Sequence, residues 1–226
     1  MQIIILADGA VGPRAALDAA WPGWAQPDAT VIVADGGARH AAELGLRIDR
    51  WVGDGDSLGE TGLEALRRSG IPIELADVDK DESDTELAVT AALRLRPDEL
   101  AIVGALGGPR LDHALANVSL LSLSGLAGVD TRLVAADARV RFLAAPEIDG
   151  GASSVRLEGR IGDLVTLLPV GEDALGVTTD GLRFPLDDEP LLLGRTRGLS
   201  NVREVPIAGV RMRRGRMVIV ETPATL

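Results

Sequence analysis

Cysteine and tyrosine are both missing from this 226-residue chain, and each absence removes a class of chemistry. Without cysteine there is no disulfide framework, no thiolate metal site and no thiol nucleophile, a composition that suits a reducing cytoplasm. Aromatic residues make up 2% of the chain, as Phe142, Phe184, Trp21, Trp24 and Trp51, so any stacking platform for a ligand rests on few rings. Histidine occurs twice, at His40 and His113, too few for a zinc-type cluster. Lysine occurs once, at Lys80, and no Gly-Lys-Ser/Thr follows a glycine-rich turn, which excludes a P-loop. Acidic residues outnumber basic ones, 34 to 23. The net charge of −11 and a pI of about 4.7 argue against a nucleic-acid footprint or an anionic membrane surface. No apolar run is long enough to span a membrane, and Met1–Ala7 lacks a basic start and meets Asp8 too early for a signal peptide.

What is present is ordered. In roughly the first 140 residues, short Ile/Val-rich runs stop abruptly at Gly or Asp and are followed by helical patterns. Ile3–Ala7 runs into Asp8-Gly9, Val31–Ala34 into Asp35-Gly36-Gly37, Trp51-Val52 into Gly53-Asp54, and Leu100–Val103 into Gly104. This is the pattern of parallel strands with crossover helices, and it predicts a Rossmann-like α/β domain over 1–145 with a mostly parallel sheet. Acids and glycines then converge at the carboxyl ends of strands, where open α/β sheets bind ligands. Glu147–Ser154, rich in Gly and small residues, reads as a linker. From 153 to 226 the runs are short, lack helical periodicity and predict an all-β domain, with Arg214-Gly215 as the turn of a hairpin between Val210–Arg213 and Met217–Val220.

Two acidic blocks carry the chemistry: Gly53-Asp54-Gly55-Asp56-Ser57, and Asp79-Lys80-Asp81-Glu82-Ser83-Asp84. Each sets carboxylates two residues apart on a turn, hard donors suited to magnesium with phosphates completing its shell. The plain alternative is a pair of solvated acidic loops. A calcium loop does not fit, because Glu82 stands where the sharp-turn glycine belongs. Ser83-Asp84-Thr85-Glu86 is a capping box, with Ser83 as N-cap of a helix through Leu87–Leu95 that carries Asp84 at its tip. A third segment, Gly104 to His113, joins a strand to a helix expected from Ala114. Its glycines would let backbone amides approach an anion, with Arg110 as a forked donor. His113 is either a general base or a structural partner of Asp112, and His40 reads as surface or packing.

In series, Ala34-Asp35-Gly36-Gly37-Ala38, the two acidic blocks, Gly107-Gly108-Pro109-Arg110-Leu111-Asp112-His113 with Asn117, Thr179-Asp180-Gly181-Leu182-Arg183-Phe184-Pro185-Leu186 and Gly198-Leu199-Ser200-Asn201 resemble the thiamine pyrophosphokinase family over nearly the whole chain. The resemblance implies an α/β catalytic domain joined to a sandwich- or barrel-like β domain, in a homodimer with active sites between subunits. It implies transfer of diphosphate from ATP to the hydroxyl of thiamine, giving thiamine diphosphate and AMP, with Mg2+. By motif, Asp54, Asp56, Asp79 and Asp84 would hold the metal, and Asp54, Asp56, Asp81 and Asp84 would be the catalytic acids. Asp35, Gly36, Ser57, Lys80, Ser83, Arg110, Asp112, His113 and Asn117 would form the nucleotide end, and Phe184, Ser200 and Asn201 would meet thiamine. Phe184 has an alternative role as a β-domain core residue. The chain departs from the family at Gly55, where an aromatic is usual, and at Pro109, which lengthens the Gly-Gly-Arg loop. Two other readings stay open: a diphosphokinase for another hydroxymethyl heterocycle of pterin type, and a non-catalytic thiamine- or nucleotide-binding module.

Overall fold

The structure, a computed structural model, describes residues 1–146 and 151–224. It divides into two compact units, Met1–Ala136 and Asp137–Leu226.

The first unit alternates strand and helix: β1 (Gln2–Leu6), α1 (Arg14–Ala20), β2 (Thr30–Ala34), α2 (Arg39–Glu43), β3 (Arg50–Gly53), α3 (Gly59–Arg68), β4 (Ile73–Leu75), α4 (Asp84–Leu93), β5 (Glu99–Val103), α5 (Leu111–Leu120) and β6 (Asp130–Val134). All its strand pairings are parallel, in the order β6-β5-β1-β2-β3-β4. The sequence dictates this arrangement through burial. Ile3, Ile4, Ile5 and Leu6 are all 0% exposed, so β1 needs apolar residues on both faces, as a central parallel strand does. Strand order reverses between β1 and β5. That switch point leaves a crevice outside the carboxyl ends of the strands. All three tryptophans sit in the core cluster of this unit with Leu17, Val31 and Leu44. Their ring N–H groups are satisfied, Trp21 donating to the Ala135 carbonyl at 2.7 Å, Trp24 to Asp18 at 2.8 Å and Trp51 to the Asp35 carbonyl at 3.0 Å.

One local expectation changes here, and one alternative is decided. The helix expected from Ala114 begins at Leu111, with Arg110 as its N-cap residue, so Asp112 and His113 lie in its first turn. A carboxylate there is favourable at the positive end of the helix dipole, which offsets the absence of a capping side chain. His40 packs inside, at 8% exposure.

The second unit contains β7 (Arg139–Ala144), β8 (Ser153–Glu158), β9 (Leu164–Pro169), β10 (Ala174–Asp180), β11 (Glu189–Leu191), β12 (Asn201–Val202), β13 (Ile207–Met212) and β14 (Arg216–Thr222). They form two antiparallel arrays, β12-β9-β14-β7 and β11-β10-β13-β8, around a core that includes Leu157, Leu167, Val177, Met212 and Ile219. The expected hairpin is not formed. β13 pairs with β8 and β10, while β14 pairs with β7 and β9, so the turn at Arg213–Gly215 carries the chain from one array to the other. β7 pairs with β14 and falls in this unit. Of the expected linker, 147–150 lies outside the described residues, and Ser153 already opens β8. A buried ion cluster ties this unit together. Glu221, 0% exposed, accepts from Arg139 at 2.7 and 2.8 Å and from Arg203 at 2.7 Å.

Candidate active site

The site grows from the ends of β2 and β3 and the start of α4. Asp35 follows β2, is 2% exposed and takes a positive φ of 40°. Its carboxylate accepts the backbone N–H of Gly55 at 3.1 Å and of Ser57 at 3.3 Å, so it pins the turn after β3. Within that turn Asp54 accepts the Asp56 N–H at 3.1 Å. Ser83 caps α4 by accepting the Glu86 N–H at 3.2 Å, which fixes Asp84 as the first helical residue. Together these anchors bring one carboxylate oxygen each from Asp35, Asp54 and Asp84 within 4.8 Å of one another.

Lys80 lies among these acids. Its Nζ donates to Asp54 Oδ2 at 2.6 Å and stands 3.0 Å from Asp84 Oδ1, without the alignment of a hydrogen bond in the second case. The ammonium holds the Asp54 carboxyl below its usual range, against the opposing effect of burial. Burial pushes Asp84 up, helped by the neighbouring charges of Asp54 and Asp35, and Lys80 only partly offsets it. Burial works against the charge on Lys80, but its two carboxylates outweigh that and raise its proton affinity.

The structure therefore redraws the expected acid set. Asp35 joins the cluster. Asp79 and Asp81 are exposed and do not line the cavity that the cluster borders, whereas Asp56 lines it while remaining exposed. The backbone reason is phase. Asp84 is fixed inward by its helix, and the turn from Asp77 to Glu82 presents Lys80 inward with Asp79 and Asp81 on either side pointing away. Ser57 sits in a Gly55-Asp56-Ser57-Leu58-Gly59 run that has nucleophile-elbow spacing. Its Oγ donates to Asp56 at 3.1 Å rather than to a histidine, so the run serves the acidic turn.

Gly55 takes a φ of +84°, and a Cβ placed on it would lie 2.6 Å from Leu63 Cδ1. Leu63 of α3 thus fills the space that a side chain at position 55 would enter. Gly36 has a similar constraint, since its Cβ would meet the Asp8 carboxylate at 2.4 Å.

The cavity has a volume of about 820 Å³ and lies wholly in the first unit. That is within the usual range for a small-molecule site. Gly107, Gly108, Pro109 and Arg110 form its other wall. Arg110 is held by Asp112 through bonds of 2.6 to 3.2 Å, and this keeps the Asp112 carboxyl well below the usual carboxylate range. His113 is exposed and lines the cavity, and Asn117 is buried with its amide donating to the Ala105 carbonyl at 2.9 Å. One charged lining residue, Arg39, escapes the sequence reading. Arg39 pairs with Asp8 at 2.7 Å and also donates to the Asp8 backbone carbonyl. The acid at the end of β1 is visible in sequence, but its arginine partner lies 31 residues away.

In the second unit, Phe184 is 64% exposed, which rules out a core role within the chain. Asn201 accepts the Phe184 N–H at 3.0 Å and donates to the Phe184 carbonyl at 2.7 Å. Its side chain is spent on fixing the backbone that presents the ring. Ser200 takes a φ of 55° and is exposed, its N–H donating to Thr166 at 2.9 Å.

A parallel sheet with clustered carboxylates at its strand ends, facing a glycine-rich strand-to-helix loop across one cavity, is an arrangement found in α/β enzymes that handle phosphate groups. The comparisons narrow the class. Residues 24–127 match the family described as "Thiamin pyrophosphokinase, catalytic domain", and residues 154–210 match "Thiamin pyrophosphokinase, vitamin B1 binding domain". The chain belongs to the thiamin pyrophosphokinase family. It is 26% identical over 170 residues to thiamine pyrophosphokinase of Bacillus subtilis (strain 168), covering 75% of this chain and 76% of that one. It is 28% identical over 159 residues to thiamine pyrophosphokinase 1 of Oryza sativa subsp. japonica, covering 67% of this chain and 58% of the rice protein. Its fold matches the crystal structure of the Bacillus subtilis enzyme with a TM-score of 0.80 at 22% identity, with both chains fully covered. The yeast thiamin pyrophosphokinase structure matches at 0.72 and 14% identity, over 98% of this chain and 86% of that one. At such identities these structures speak for the fold. These matches favour neither the pterin-type reading nor the non-catalytic module. No helix among the described residues is long and apolar enough to cross a membrane.

Proposed function

We propose that this chain transfers the diphosphate of ATP to the hydroxyethyl oxygen of thiamine, giving thiamine diphosphate and AMP. The observation that carries the reading is the Asp35, Asp54 and Asp84 cluster facing the Gly107–Arg110 loop across one cavity, in a chain with both domains of the family.

The donor set fits magnesium. The ligand atoms are hard oxygens, and an ammonium already lies 2.6 Å and 3.0 Å from two of them, so the cluster is built around a cation. We assign Asp54 and Asp84 as its principal protein ligands, with Asp35 behind them. Bound there, magnesium supplies charge neutralisation for the polyphosphate. The remaining work falls to the chain. The backbone amides of Gly107 and Gly108 and the guanidinium groups of Arg110 and Arg39 receive phosphate oxygens, aligning the β-phosphorus for attack with AMP departing opposite. The thiamine hydroxyl loses its proton as the new O–P bond forms. Of Asp81 and Asp84, only Asp84 borders the cavity, so its carboxylate is the one placed to take that proton. Phe184 offers its exposed face to the pyrimidine of thiamine, with Ser200 as a further contact and Asn201 setting the presentation of the ring. A homodimer and a cytoplasmic location belong to the same reading.

The test is acceptor choice. AMP release from ATP and Mg2+ is measured with thiamine, with a 6-hydroxymethylpterin and with neither. The reading expects AMP with thiamine alone. Release with the pterin alone, or equal release in all three, overturns it.

A further inference from the structure

The single lysine of the chain is lodged where a metal would bridge. Lys80 Nζ lies 2.6 Å from Asp54 Oδ2 and 3.0 Å from Asp84 Oδ1, and the Lys80 side chain is only 12% exposed. Those two oxygens face the same point from two elements, the β3 turn and the first residue of α4. A magnesium ion held by carboxylates sits about 2.0–2.1 Å from each oxygen, so it would take the space that the ammonium fills. The other cations that line the cavity are held by other acids, Arg39 by Asp8 at 2.7 Å and Arg110 by Asp112 at 2.6 Å. Lys80 is thus the cation that balances the cluster when the cluster has no metal.

We propose that Lys80 is an exchangeable internal counter-ion: metal binding displaces its ammonium from Asp54 and Asp84, and the freed side chain turns to the polyphosphate. The inference rests on the magnesium assignment above and extends it to an ordering of events. Three observations favour exchange over co-occupancy. Both close oxygens of the ammonium are cluster oxygens. A second cation among the same oxygens would repel the first at short range in a partly buried site. Finally, the stem rises from an exposed segment. Lys80 lies in the non-helical segment before α4, its neighbours Val78, Asp79 and Asp81 are exposed, and a four-carbon chain with a compact charge can relocate without backbone change. Once displaced, the charge is delivered into the cavity that receives phosphate, which Lys80 itself lines.

Two measurements on the full chain test this without relying on turnover. In protein labelled with 15N-lysine, one side-chain ammonium signal is expected, observable in the metal-free state because its protons are protected by the acids. Saturating Mg2+ should shift or broaden that signal, and a non-hydrolysable ATP analogue added next should restore it at a different position. An ammonium signal unmoved by Mg2+, at concentrations where Mn2+ competition shows the site filled, overturns the proposal. Separately, Mn2+ binding without nucleotide is followed by electron paramagnetic resonance in wild type and Lys80→Gln. Removing the competitor should tighten Mn2+ binding by about tenfold or more, whereas equal or weaker binding by folded Lys80→Gln overturns exchange. Lys80→Arg, which keeps the charge, should bind Mn2+ no more tightly than wild type. Neither readout involves thiamine, so failure of the enzymatic reading and failure of the exchange are seen separately.

Discussion

Asp35 reaches across the sheet edge to accept the N–H of Gly55 at 3.1 Å, so an acid from one motif sets the shape of the turn in the next. The same carboxylate takes the Ser57 N–H at 3.3 Å. Removing it leaves two backbone donors without their acceptor in a largely buried place. Asp35→Ala is expected to cost about 2–3 kcal/mol of stability, read as a lower urea midpoint with an unchanged slope, and to weaken Mn2+ binding in the protein that remains folded. Unchanged stability would mean the carboxylate does not organise the turn.

The turn also depends on having no side chain at Gly55. A φ of +84° strains any L-residue, and the Cβ would lie 2.6 Å from Leu63. Gly55→Ala is expected to cost about 2–4 kcal/mol from backbone strain and overpacking together. Adding Leu63→Ala should recover the overpacking part and leave the strain. A double-mutant cycle with no coupling between the two positions would contradict this packing.

Asp54 and Asp84 should respond to pH in opposite directions in the metal-free protein. Asp54 has its folded pKa depressed by Lys80, so its contribution is present above the ordinary value of 3.8 and is lost as pH falls through the folded value. Asp84 has its pKa raised by burial, so its contribution is present below 3.8 and is lost as pH rises through the folded value. Asp84→Asn should therefore be as stable as wild type near pH 3 and more stable at pH 7. Discounted for its partial exposure, the gain at pH 7 should be under about 1 kcal/mol. The same variant should lose most of its Mn2+ affinity. A site that gains stability when its function is removed is expected where charges are gathered for binding.

Phe184 and Asn201 should behave as a ring and its support. Phe184→Ala, at an exposed position, should change stability by no more than about 0.5 kcal/mol while raising the KM for thiamine about tenfold and leaving the KM for ATP alone. Asn201→Ala removes two bonds to the Phe184 backbone and should raise the same KM. Its effect should be much smaller in a Phe184→Ala background. Additive effects would mean that Asn201 meets thiamine directly.

Parts of this molecule were legible in the sequence because they depend on local chemistry. A central parallel strand needs a continuous apolar run, and Ile3 to Leu6 supply one. A helix needs a cap, and Ser83 supplies it within three residues. Family motifs gave the same acids that the structure draws together at Asp54 and Asp84. Illegible were features set by partners distant in sequence. The alternation on either side of Arg214-Gly215 is the same whether β13 and β14 pair with each other or cross between arrays, and only their pairing with β8, β10, β7 and β9 decides it. Asp79, Asp81 and Asp84 look alike in sequence, but the helix start turns just the last of them inward. Arg39 has no motif that marks it as the partner of Asp8.

The most direct measurement is the product balance, followed by 31P NMR on ATP, Mg2+ and thiamine with wild type and with Asp54→Asn. The account predicts AMP and thiamine diphosphate in equal amounts from wild type and neither from the folded variant. ADP with thiamine monophosphate, AMP formed without thiamine, or full activity in Asp54→Asn would contradict it.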